Sequence, residues 1–240
     1  MKANHKHWAV ALAFIVGALA GPVQAADKPL TVVELFTSQG CSSCPPADAY
    51  LHELAKRDDV LALSVHVDYW DYIGWKDPFA KGAHGQRQKK YAEKFALRYV
   101  YTPQMVVHGA YQSVGSKRRE VESQIEQAKA LPHINVALRR NGDAIELTLP
   151  KTFVNAPIEI ITVFYDRRHE TKIKRGENGG RSLAYANVVK EMKRVAVWTG
   201  EPVSMPITAG EAKGEVCAVI LQHRHSRRII GAAKMEIASR

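Results

Sequence analysis

Val32-Val33-Glu34-Leu35-Phe36-Thr37-Ser38-Gln39-Gly40-Cys41-Ser42-Ser43-Cys44-Pro45-Pro46 passes from one hydrophobic period to another. Its apolar, β-branched start bounded by Gly40 reads as a buried strand, and beyond it Ala47, Tyr50, Leu51, Leu54 and Ala55 recur at helical spacing. Two cysteines therefore stand where a strand hands over to a helix. Proline suits a helix's first turn, where its missing N–H would have had no partner, so Pro45 and Pro46 put Cys41 at or just before the helix N-terminus. Free backbone N–H groups and the positive end of the helix dipole favour a thiolate there. They can bring a cysteine pKa from about 8.5 into the range of roughly 3.5 to 7.5. On this reading Cys41 is the attacking sulfur and Cys44, one turn in, the resolving one.

A Cys-x-x-Cys can also be half of a zinc site or an inert disulfide. A structural zinc site needs a second pair, and the chain offers only Cys217 besides, with no His cluster at finger spacing after the motif. A structural disulfide spanning two residues would close a tiny loop and restrain the unfolded chain little. Thiol exchange is the leading chemistry; no metal and no cofactor is called for.

The chain opens with Lys2 and Lys6, an uncharged stretch from Trp8 to Gly21, and Pro22-Val23-Gln24-Ala25. This pattern predicts a secretory signal peptide over residues 1–25, cleaved after Ala25, with a retained amphipathic anchor as the alternative. The apolar stretch falls short of the roughly 20 residues that span a bilayer, so no stable membrane insertion is expected after cleavage. The expected location is periplasmic or secreted, where disulfides persist.

Lys and Arg number 34 against 24 Asp and Glu, and removal of Lys2 and Lys6 with the leader leaves a formal +8. Residues 26–131 hold 14 bases and 13 acids, whereas 132–240 hold 18 and 11, which suggests two units with different surfaces. The bases of the second unit, among them Arg139, Arg140, Arg167, Arg168, Arg227 and Arg228, are scattered and accompany no nucleic-acid motif. They read as a solvated surface, with weak attraction to acidic partners or anionic lipid as the alternative.

Val60 to Val67 is a second β-rich run, and strand, helix, strand implies a parallel pair with a right-handed crossover. Ligands in such sheets gather at the carboxyl ends of strands, so His66, Asp68, Tyr69, Trp70 and Asp71 are expected near Cys41. His66 and Asp68 share a face, as metal ligands, a proton relay or a hydrogen-bonded strand end. The aromatic loop from Tyr69 to Phe79 can floor a groove or pack itself down. Asp77-Pro78 predicts a helix start, with Tyr91, Phe95, Leu97 and Tyr99 as its apolar positions and a solvated cationic face of Arg87, Lys89, Lys90 and Lys94. Thr102-Pro103 then precedes a strand. Proline cannot donate to a ladder, so it fits a strand's first residue, and a cis bond there would leave the backbone before it free to pair with an incoming peptide. Gly109-Ala110 predicts a hairpin turn, Ser116 a helix cap, and Val121, Ile125 and Ala128 a buried stripe.

This order resembles the thioredoxin fold with an extended middle helix, over residues 31 to 131. The marks are Cys41-Ser42-Ser43-Cys44 after the first strand and Thr102-Pro103 before the hairpin, which match that fold's redox pair and its cis-proline, a substrate-binding position. Gly40 stands where thioredoxins carry tryptophan, and Glu34 lies close to where they keep a buried acid, readable here as a proton acceptor or a salt-bridged glutamate. More narrowly, Leu35 to Asp48, His66-Val67-Asp68-Tyr69-Trp70-Asp71 and Arg175-Gly176-Glu177-Asn178 resemble an exported bacterial family of thioredoxin-like proteins of unknown function. The resemblance implies fold and compartment and supplies no reaction.

From Ile134 the period becomes two. Ile134, Val136 and Leu138 alternate, Asn141-Gly142 signals a hairpin, and Ile145, Leu147 and Leu149 alternate back. Further strands are expected over 158–165, 195–198, 216–222 and 229–237. The fold class expected is α/β: a thioredoxin-like domain with an inserted helix over 26–131, then a smaller antiparallel β-rich, sandwich-like domain over 132–240. Cys217 reads as a buried small hydrophobe, and the glycines of 175–181 as a long hairpin turn or an anion nest. His223 and His225 are too few to argue a metal. The function expected is a thiol-disulfide oxidoreductase acting on protein thiols or disulfides. The alternative is a non-catalytic binding protein on the same scaffold, for a protein partner or for copper with His66 or His108 assisting.

Overall fold

The computed structural model describes residues 29–141, 144–208 and 214–237. The expected leader and Gly142 lie outside the described residues. Fourteen main elements follow in order: β1 (Thr31–Thr37), α1 (Pro45–Leu54), β2 (Val60–His66), α2 (Gly82–Lys94), β3 (Gln104–Val107), β4 (Tyr111–Val114), α3 (Arg118–Lys129), β5 (Ala137–Asn141), β6 (Ala144–Leu149), β7 (Ile158–Lys172), β8 (Ser182–Trp198), β9 (Val203–Ile207), β10 (Val216–His223) and β11 (Ile229–Glu236). They build a mixed α/β structure. An eight-stranded mixed sheet runs β11-β10-β7-β8-β2-β1-β3-β4, and a three-stranded antiparallel sheet runs β5-β6-β9.

β1 and β2 are parallel and buried along their whole length, which is why both read as continuous apolar runs and not as alternations. Val33 and Leu35 pack on one side against α1 (Ala47, Leu51) and α3 (Val121, Ile125). Val32 and Phe36 face the other way, toward Tyr91 of α2 and Val163 and Ile220 of β7 and β10. The opposite faces of β7 and β10, carrying Ile160, Phe164, Cys217 and Val219, pack on Leu147 and Leu149 of the small sheet.

Beyond residue 132 the chain is β-rich, but most of its strands extend the first sheet in place of forming a sheet of their own. The junction is β8 running parallel to β2 at Ser64 and Val188. Beside it Asn187 adopts φ 48°, a left-handed conformation asparagine tolerates, and its Nδ2 donates to the Ala62 carbonyl at 2.8 Å. A side chain thereby adds a bond across the β8–β2 junction.

Several local expectations are corrected. α2 begins at Gly82, because Asp77 is buried and engaged elsewhere, and it ends at Lys94, leaving Tyr99 74% exposed. Arg87 is buried and not solvated. Lys117, not Ser116, stands at the start of α3 and contributes no side-chain cap. β7 runs past its buried stretch to Lys172, its outer part partly exposed and polar, and β8 begins as early as Ser182, with Tyr185, Ala186, Val188 and Val189 buried and Val195 and Val197 of the expected segment exposed. β9 adds a strand beyond those expected; it holds Pro206, which an edge strand of a small sheet accommodates.

Candidate functional site: the Cys41–Cys44 pair under the β7–β8 connection

Cys44 occupies the position before α1, with Pro45 and Pro46 in the first turn. The Cys41 N–H donates to the Ser38 carbonyl at 3.1 Å and the Cys44 N–H to the Cys41 carbonyl at 3.2 Å, a tight turn that brings the two Cα atoms to 5.5 Å. The cysteines are joined in a disulfide. Ser42 and Ser43 are exposed, yet Cys41 is only 2% exposed and Cys44 not at all.

The cover comes from 137 residues further along the sequence. Asn178, in the connection between β7 and β8, donates from Nδ2 to the Gln39 carbonyl at 3.0 Å and the Cys41 carbonyl at 2.8 Å. Its own Oδ1 accepts from Arg181 at 2.9 Å, which fixes the amide's orientation. The Ser42 N–H donates to Glu177 Oε2 at 3.1 Å, and the side-chain and backbone hydrogen bonds of Ser42 hold that carboxyl below the usual glutamate range. Gln39 ties the motif down further: its N–H donates to Asp77 Oδ2, its Nε2 to Thr171 Oγ1, and its Oε1 accepts from Trp75 Nε1. The glycine-rich stretch that reads in sequence as a turn is therefore clamped on the cysteine motif.

Thr102-Pro103, whose peptide bond is cis, leads into β3, which pairs antiparallel with β1. Trp70 connects the two motifs. Its Nε1 donates to Thr102 Oγ1 at 2.7 Å, and a side chain at position 40 would put its Cβ 3.2 Å from the Trp70 Cβ, so Gly40 lets the tryptophan lie against the turn that carries Cys41.

Beneath the disulfide lies a buried polar cluster. Asp48, one helical turn beyond Cys44, gives its N–H to the Cys44 carbonyl at 3.1 Å and accepts from Thr37 Oγ1 at 2.8 Å. Its second carboxyl oxygen has no partner, and burial pushes the group up to about 7. His66 Nδ1 meets Asp77 Oδ2 at 2.7 Å with neither side chain exposed. Burial opposes ionisation of Asp77, but His66 beside it and the N–H groups of Gln39 and Phe79 outweigh this and hold it below the usual range. The His66 ring packs edge-on against Phe79 and Tyr185. Its Nε2 and the Tyr185 hydroxyl are also buried without a partner.

His66 therefore pairs with Asp77 and not with Asp68, which is exposed beside Gly82 and Gly85. Glu34 is fully engaged: Arg87 meets its oxygens at 2.5 and 2.9 Å and the Tyr91 hydroxyl at 2.5 Å, which makes it the salt-bridged glutamate of the two readings. His108 accepts from the Val32 N–H at the start of β1, the end remote from Cys41, so it does not join His66 near the sulfurs. Among the described residues, no group of three or more His, Cys, Asp and Glu is placed to hold a metal. Cys217 is wholly buried in β10, and burial pushes its thiol up to about 12.

Asp48, Asp77, Glu177 and Asn178 were not singled out as functional by sequence reasoning. Asp48 left a signal: an acid four residues after Cys44, within the apolar stripe of Ala47 and Leu51. Glu177 and Asn178 left none beyond their resemblance to a family phrase, because a side chain's reach across the sheet is set by topology.

No curated protein matches the sequence. Among solved structures, the chain is similar to a structural-genomics protein from Agrobacterium tumefaciens, at 30% identity and a TM-score of 0.78, over 90% of this chain and 98% of that one. It is also similar in fold to HBP35 of Porphyromonas gingivalis, at 14% identity and a TM-score of 0.55, over 89% and 77% of the two chains. A family model described as a protein of unknown function, DUF1223, matches residues 32–222, and the chain, with its cysteine pair and the loop that covers it both inside that span, belongs to this family.

Proposed function

We propose that this chain is a periplasmic thiol-disulfide oxidoreductase of thioredoxin type whose redox pair is Cys41 and Cys44. The observation that carries the reading is the placement of that pair at the N-terminus of α1, straight after the buried β1, with Thr102-Pro103 opening the adjacent β3 and Trp70 linking the two. The positive end of the α1 dipole favours a thiolate at Cys41. When the pair reduces a partner, the Cys41 thiolate attacks one partner sulfur and expels the other as a thiolate. Cys44 then attacks Cys41 of the mixed disulfide, releasing the second partner thiolate and closing the Cys41–Cys44 bond; two electrons have passed to the partner. Oxidation of a partner dithiol is the reverse. Asp48, buried one turn from Cys44 and titrating near neutrality, is suited to take the Cys44 proton as that sulfur becomes the nucleophile. Thr102, half-buried next to Trp70, offers its backbone to the partner's peptide.

The test is trapping from the compartment into which the leader of residues 1–25 would export the chain. Cys44→Ala should accumulate mixed disulfides with protein partners and Cys41→Ala should not. Equal trapping by both variants, or none by either, rejects the reading and leaves a binding protein on the same scaffold.

A further inference from the structure

A second site lies at the opposite end of the sheet. In the β1–β3 pair Gln104 faces Phe36 and Val107 faces Val33, so the β3–β4 turn sits by the start of β1 while Cys41 follows its end. Against that turn is a groove of about 520 Å³. Tyr111 and Leu131 supply apolar wall; Lys94 from the end of α2, His223 at the end of β10, and His225 and Arg228 from the turn after it supply the basic groups, with Asn155 and Ser226 polar beside them. No Asp or Glu lines it.

Sheltered cations elsewhere in the chain have acidic partners. Arg87 meets Glu34, Arg57 meets Asp59, and in the hollow on the far side of Lys94 Arg227 meets Glu159, which the exposed Arg194 also reaches. Among the described residues, Lys94 and Arg228 have none within 4.0 Å. Lys94 gives its ammonium to the Gly109 carbonyl and lies over the Phe95 ring, 4.5 Å from its centroid, contacts that leave its charge uncompensated. The strain appears in the protonation of the group: burial, then Arg228, bring Lys94 down to about 8, and the same two influences hold His223 below its ordinary value. His108, behind the turn, is brought down to about 3 by burial, His133 and Arg228. Cations crowded together in a concave, half-dry place are stabilised by a negative charge among them.

We propose that this groove is a binding site for a small organic anion, its carboxylate or phosphate held between Lys94 and Arg228 and its apolar body on Tyr111 and Leu131. An arginine suits two anion oxygens at once and the lysine a single one, while His223 and His225 can add donors. The site is independent of the cysteine chemistry and stands whether or not that reading holds.

The test is calorimetric titration of the full chain with phenyl phosphate, phenylacetate, inorganic phosphate and benzyl alcohol, at low and at physiological salt. Expected are saturable one-to-one binding of at least one of the two aromatic anions, weaker at the higher salt, and no binding of benzyl alcohol. Lys94→Gln and Arg228→Gln should each weaken binding about tenfold, the loss of one charge-assisted contact, with the rate of Cys41–Cys44 reduction unchanged as a check on folding. The proposal is overturned by absence of saturable binding to the unmodified chain. It is equally overturned by an affinity indifferent to salt or to both substitutions, or by inorganic phosphate binding as tightly as phenyl phosphate. The salt series needs no variant, so it decides the matter even where a substitution prevents folding.

Discussion

The amide of Asn178 donates to the main-chain carbonyl of Cys41 at 2.8 Å, which makes the cover of the disulfide part of the disulfide's own turn. Removing that amide strands the buried Gln39 carbonyl and leaves the Cys41 carbonyl with the Cys44 N–H alone. Asn178→Ala should cost about 1 to 3 kcal/mol of stability and, by loosening the connection, speed reduction of Cys41–Cys44 by dithiothreitol several-fold. An unchanged reduction rate in a destabilised variant would show that the connection does not control access.

Asp48 gives a pH signature. Its folded value of about 7 lies above the ordinary aspartate value of 3.8, so the neutral form is preferred in the fold. Stability from this group is complete below the ordinary value and is lost as pH rises through about 7. Asp48→Asn keeps an oxygen to accept from Thr37 and cannot ionise. It should raise the stability of the oxidised protein at pH 8 by on the order of 2 to 4 kcal/mol and change it little at pH 4, measured by urea unfolding at both. A gain of the same size at both pH values would refute the buried ionisation.

Arg87→Met tests the ion pair beneath the sheet. With the guanidinium gone, Glu34 keeps only the Tyr91 hydroxyl at 2.5 Å in a fully buried place. A loss of about 3 to 5 kcal/mol is expected, much of it recovered when Glu34→Gln is added. Urea midpoints of the two singles and the double give the comparison, and strictly additive losses would contradict the pairing.

Cys217 should resist alkylation. In the native reduced protein iodoacetamide should modify Cys41 first, and Cys217, wholly buried with its thiol pushed up to about 12, only once denaturant is added. Labelling of Cys217 at native rates would place it at the surface.

What could be read in the chain was what its local pattern states. The turn from Phe36 to Pro46 carries its own signals, proline in a first turn and glycine at the end of a buried strand, and β1, α1 and the cysteines appear where those signals put them. The ion pair of Glu34 and Arg87 was half legible. A glutamate inside an apolar run asks for a partner, but nothing local chooses one 53 residues away, and the neighbours Lys89 and Lys90, which are exposed, made Arg87 look solvated. The clamp on the cysteines was illegible for the same reason. Glu177 and Asn178 reach the motif because β7 runs on to Lys172 and β8 begins at Ser182, and the outer part of β7 has no apolar alternation to announce it.

The pairing of β8 with β2 bears on how the chain ages and fails. β2 is Val60-Leu61-Ala62-Leu63-Ser64-Val65-His66, uncharged but for a histidine and buried at every position. Were β8 to peel away, β2 would become a bare edge with the composition that recruits strands from other molecules, without the charges or prolines by which natural edges repel them. Cleavage in the loops around β8, or synthesis halted before residue 182, should therefore yield aggregates and not a smaller soluble protein. The second half of the chain is a guard on the first.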